Sequence, residues 1–138
     1  MTSQLEVVYK DLKKEHQRVL QHIERLRGHD SETGLVPMLD KLRTLLIVHF
    51  AREQLPDGFY DALGDRAQSR HDEIRVLTGE HAAILSTLNA LIEDAESPQA
   101  GEDADLLGRT RQLVDRVADH ETREHRFAVE VLGGEPGV

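Results

Sequence analysis

Apolar side chains recur along this chain at helical spacing. In a first segment Leu5, Val8, Leu12, His16, Val19, Ile23 and Leu26 advance by three or four residues, and Gly28 stops the run. A second segment, Leu39, Leu42, Leu46, His49 and Glu53, has Pro37 in its first turn and Pro56 as its terminator. The third carries Ile74, Leu77, His81, Ile84, Leu88, Leu91 and Ala95, with Ser69 and Asp72 as a capping pair. The fourth carries Leu106, Thr110, Leu113, Val117, His120, Glu124, Phe127 and Val131, closed by Gly133-Gly134. Four amphipathic helices with seams near 3.5-residue spacing predict an all-α fold, an antiparallel up-down-up-down four-helix bundle. The connections Gly28 to Gly34 and Ser97 to Asp103 are short enough for antiparallel neighbours, and the stretch from Pro56 to about Ala67 has room for a helical turn. One domain over residues 1–138 is expected, with its core at about 5–131 and a frayed tail at 133–138.

Composition narrows the function classes. The chain has 138 residues, 17 basic against 26 acidic side chains, a net charge of −9, eight histidines and no cysteine. Without cysteine there is no disulfide scaffold, thiol nucleophile, thiolate zinc site or iron–sulfur cluster. The acidic balance argues against nucleic acid or an anionic membrane as partner. The longest apolar runs, such as Leu45-Leu46-Ile47-Val48, are too short to span a bilayer. No basic region followed by an apolar stretch opens the chain, so a cytoplasmic protein is expected.

The candidate chemistry lies where the seams turn polar. Each seam is interrupted by a histidine: His16, His49, His81 and His120. Two add a glutamate one turn later, Glu53 and Glu124, on the same face as the histidine before it. A buried ionised carboxylate costs several kcal/mol unless it is paired or bound to a cation. No Lys or Arg stands on these seams, so a metal pair is the economical common partner. The pattern repeats along the chain: Glu15-His16 matches Glu80-His81 at an offset of 65, and His49/Glu53 matches His120/Glu124 at an offset of 71. Twelve residues separate His16 from Gly28 and Pro37 from His49. At about 1.5 Å per residue both histidines lie roughly 18 Å from one end of the bundle. His81 and His120 match that depth within about a turn, so antiparallel packing brings all four to one level. An imidazole-rich donor set favours late first-row metals over magnesium or calcium.

The same residues make the sequence resemble the hemerythrin-like, or HHE cation-binding, family over about residues 5–131. The match is His16 on the first helix, His49-x-x-x-Glu53 on the second, His81 on the third and His120-x-x-x-Glu124 on the fourth. The resemblance implies a non-haem di-iron centre. His16 and His49 would hold one iron and His81 and His120 the other, bridged by Glu53, Glu124 and an oxo or hydroxo group. Oxygen-carrying hemerythrins place two histidines one turn apart on the third helix, where this chain has Leu77 and Leu85 around His81. The fourth helix carries Glu at the fourth position after its histidine instead of Asp at the fifth, which here is His125. Fewer ligands leave the centre more open. That suits binding or sensing of O₂, NO or a related ligand, or alternatively an enzyme acting on peroxide or NO, or iron handling; a metal-free structural bundle is the third possibility. Among the remaining residues, His125 is expected to flank the seam, His22, His29 and His71 to face solvent, and Glu15 and Glu80 to be surface charges or to orient the ligand imidazoles. Tyr60 is expected either to pack or to cap the open end of the site.

Overall fold

The computed structural model describes residues 4–56, 58–97 and 105–133. Apart from short turns, those residues are helical, with no strand among them. The long helices are α1 (Gln4–Arg27), α2 (Leu35–Gln54), α4 (His71–Glu96) and α5 (Leu106–Leu132). A short α3 (Phe59–Leu63) and a 3₁₀ segment (Gly64–Arg70) lie between α2 and α4. Helices α4 and α5 are thus the third and fourth helices that the sequence predicts. Around the fold α1 packs on α2, α2 on α4, α4 on α5 and α5 back on α1.

Local chemistry explains the boundaries. Leu55 is extended (ψ 160°) ahead of Pro56, which ends α2. Gly34 (φ 75°) and Gly133 (φ 70°) take left-handed conformations at the start of α2 and the end of α5. Asp105 caps α5 by accepting from the Gly108 amide at 3.3 Å. The capping pair expected at Ser69 and Asp72 does not form: the 3₁₀ segment runs directly into α4, whose start has no side-chain cap. The expected turn at Ser97 to Asp103 and the tail beyond Gly133 lie largely outside the described residues.

Two apolar clusters fill the interior. One gathers Val19, Ile23, Leu26, Leu35, Leu39, Leu42, Leu46 and Phe50 with Ile84, Leu88, Leu91, Ile92, Leu106, Leu113, Val114 and Val117. The other gathers Tyr9, Leu12, Phe59, Leu63, Ala67, Leu77, Phe127 and Ala128. Along α1, α4 and α5 the chain passes from one cluster to the other at residues 15–16, 81 and 120–124, and α2 leaves the first cluster just before Glu53. A buried polar layer is therefore held between two well-packed ends, each of which fixes the helices that cross it.

Candidate metal centre

All six seam residues meet in that layer. His49, Glu53 and His120 have no exposed surface, and His81 and Glu124 have almost none. The His16 side chain retains 20% exposure. Three overlapping groups of donor atoms are close enough to share a cation: His16, His49 and Glu121; His49, Glu53 and Glu124; and His81, His120 and Glu124. His49 Nε2 lies 3.2 Å from Glu53, 3.0 Å from Glu121 and 3.3 Å from Glu124. His81 Nε2 and His120 Nε2 lie 3.3 and 3.1 Å from Glu124 Oε2.

Glu121 is the residue that seam periodicity misses. It is fully buried and accepts from His16 Nδ1 at 2.7 Å and from His49 Nε2 at 3.0 Å. A residue one step past a seam position points about 100° away on a helix of 3.6 residues per turn, so the seam alone leaves it out. The available signal is a doublet repeating every seven residues along α5: Leu113-Val114, His120-Glu121, Phe127-Ala128, all buried. Helices that pack against two neighbours bury such a widened stripe.

Side chains flanking the layer orient His120 and His81. Glu80 accepts from His120 Nδ1 at 2.7 Å and from Arg123 at 2.8 Å. Glu15 stands 3.7 Å from His49 Nδ1 and pairs with Arg52. Neither is a free surface charge. The amide oxygen of Gln54 accepts from His81 Nδ1 at 2.7 Å. With Nδ1 held outward, His81 and His120 turn Nε2 inward, as metal-ligating histidines do. His16 instead turns Nδ1 inward.

Tyr60 does cap the layer. Its hydroxyl lies 3.2 Å from Glu53 Oε2 and 3.3 Å from Glu124 Oε2, donating across the pair. Burial and the two neighbouring carboxylates push the phenol far above its ordinary value, so it stays a donor. Gly58 allows this turn: a Cβ there would stand 2.5 Å from the Arg52 carbonyl oxygen. His125 is exposed and its ring stacks on His16 at 5.8 Å. His71 is exposed, whereas His29 is half-buried and donates to the Thr33 carbonyl at 2.9 Å. His22 contradicts its expected solvent position: it is 4% exposed, donating from Nε2 to the Met38 carbonyl at 2.7 Å. It lies seven residues beyond Glu15, on the strip beside the α1 seam that α2 covers.

The residues present fit bound metal. Among the described residues, Oε1 of Glu121 and Oε1 of Glu53 are buried without a hydrogen-bond partner, although His49 Nε2 stands 3.2 Å from the latter. Such orphaned oxygens cost about 1–3 kcal/mol each, more when charged. Burial and the neighbouring Glu124 charge push the Glu53 carboxyl well above its ordinary value. Burial would raise Glu124 as well, but hydrogen bonds from Glu53 and from His120, His49 and His81 together hold it well below. Metal cations among these carboxylates would satisfy the unpaired oxygens and remove the need for a shared proton.

A family model described as the hemerythrin HHE cation binding domain matches residues 7–128. No curated protein and no solved structure matches the chain.

Proposed function

Because the chain belongs to the hemerythrin HHE cation-binding family, we propose that it is a non-haem di-iron protein that binds or senses O₂, NO or peroxide. The observation that carries this reading is the set of three overlapping His/carboxylate groups with orphaned oxygens at full burial. In it, His16 and His49 would hold one iron and His81 and His120 the other, with Glu53 and Glu124 within reach of both pairs. The order in which the long helices meet the two apolar clusters supports an antiparallel up-down-up-down bundle around the centre. Iron held there supplies inner-sphere ligand binding and one-electron chemistry.

The protein's own groups set the conditions. Glu80 and Gln54 hold His120 and His81 in one orientation. Tyr60 holds Glu53 and Glu124 together, and Phe50, stacked on His81 at 3.9 Å, excludes water from that side. A cavity of about 20 Å³ between α1 and α5 is lined by His16, His49 and Glu124 together with Lys13 and His125. Pockets for organic ligands run to about 300 Å³ or more, and a cation at His16 and His49 would itself fill part of this cleft, so no organic substrate fits there.

The test is metal quantification on protein prepared without oxygen, with optical spectra before and after air. About two irons per chain are expected, with charge-transfer bands that answer to O₂, azide or NO. Removing metal with a chelator should also lower the melting temperature. Protein that binds no transition metal under these conditions overturns the proposal.

The second reading, turnover of peroxide or NO, is favoured by the residues flanking His81. Leu77 and Leu85 pack in the apolar clusters and supply no further ligand on α4. Stopped-flow mixing separates the two, since a binder saturates stoichiometrically and an enzyme turns over.

A further inference from the structure

The internal repeat is close around the candidate centre. His49-Phe50-Ala51-Arg52-Glu53 on α2 corresponds to His120-Glu121-Thr122-Arg123-Glu124 on α5. Glu15 and Arg52 flank His49 as Glu80 and Arg123 flank His120. The correspondence breaks at the residue that follows the histidine. Phe50 lies across His81 and His120, with ring centroids 3.9 Å from the first and 5.6 Å from the second. Glu121 lies across the equivalent pair, 2.7 Å from His16 and 3.0 Å from His49. One pair of imidazoles is therefore covered by a phenyl ring and the other by a buried carboxylate.

Building on the metal-centre reading above, we propose that the two cation positions are inequivalent and fill in order, the position at His16, His49 and Glu121 first and more tightly. Three observations support this order. Glu121 is a third buried anion that belongs to one position only, and opposite charge is felt strongly where water is excluded. Its Oε1 has no hydrogen-bond partner among the described residues, so a cation there satisfies an atom that none of them satisfies. Phe50 offers no ligand atom to the opposite position, which keeps two imidazoles and the shared Glu124. Because His49 also groups with Glu53 and Glu124, the position at Glu121 has more carboxylates within reach, which favours the harder cation when two different metals compete.

The test is an anaerobic titration of the metal-free 138-residue chain with Co²⁺, followed by its visible ligand-field bands and by a competing chelating dye. Two phases are expected, the first at least about tenfold tighter than the second. Glu121→Gln, which keeps size and removes charge, should weaken the first phase by about 10–100-fold and leave the second in place. His16→Asn should do the same from a partly exposed position, which keeps the test available if the Glu121 variant does not fold. Two phases of equal affinity in the unaltered protein would overturn the inference while leaving the metal-centre reading intact. So would variants that weaken the second phase instead of the first. Absence of binding by both Co²⁺ and Fe²⁺ would overturn the metal-centre reading itself.

Discussion

Glu80 gives a sharp measure of how far the surroundings of the centre set its affinity. Its carboxylate accepts from His120 Nδ1 at 2.7 Å and is held in place by Arg123 at 2.8 Å. A charge-assisted bond of that length fixes the ring and makes Nε2 more basic. Replacing Glu80 with Ala should lower affinity for the metal at His120 by about 10–100-fold, or about 1.4–2.7 kcal/mol. Glu80→Gln keeps a neutral acceptor and should lose less, because charge-assisted bonds are roughly twice as strong as neutral ones. Glu15→Ala is the internal comparison. Its carboxylate stands 3.7 Å from His49 Nδ1, beyond hydrogen-bond range, so its effect should be smaller. Affinities would come from anaerobic Fe²⁺ titration against a chelating dye, with circular dichroism and urea melts reading separately any loss of fold from the unpaired His120 Nδ1. Unchanged affinity in Glu80→Ala, or a larger loss in Glu15→Ala, would refute the reasoning.

Gly58→Ala should destabilise by about 1–3 kcal/mol in denaturant titration, because its Cβ would meet the Arg52 carbonyl oxygen at 2.5 Å and the backbone must shift. The same shift should carry Tyr60 away from Glu53 and Glu124 and reduce metal retention after dialysis. His22 predicts a pH dependence of metal-free stability. Burial, opposed by the hydrogen bond to the Met38 carbonyl and reinforced by the Lys41 and Arg25 charges, lowers its folded-state value below that of the unfolded chain. Its contribution is therefore fully present above the unfolded value of about 6.5 and declines as pH falls through it toward the folded value. His22→Gln, which retains a donor for Met38, should flatten that slope in urea melts; an unchanged slope would show that His22 does not cause it.

The sequence by itself determined which residues could form a centre. The seams of α1, α2, α4 and α5 are periodic enough that His16, His49, Glu53, His81, His120 and Glu124 stand out as polar interruptions, and the Glu-His and His-x-x-x-Glu repeats link them. Period reports the middle of a buried face. It does not report how wide that face is, because width depends on how many neighbours a helix meets. That is why Glu121, Glu15 and His22, all beside a seam, change character only when α5 and α1 are packed. Partners across the fold are likewise set by tertiary structure. The pairings of Glu80 with His120, Gln54 with His81 and Tyr60 with both Glu53 and Glu124 join residues 27 to 64 positions apart, except that Tyr60 reaches Glu53 across seven. Those contacts decide which nitrogen each imidazole turns inward. They also decide that a phenyl ring covers one histidine pair and a carboxylate the other, a difference in surroundings that the shared His-x-x-x-Glu spacing of the two halves does not reveal.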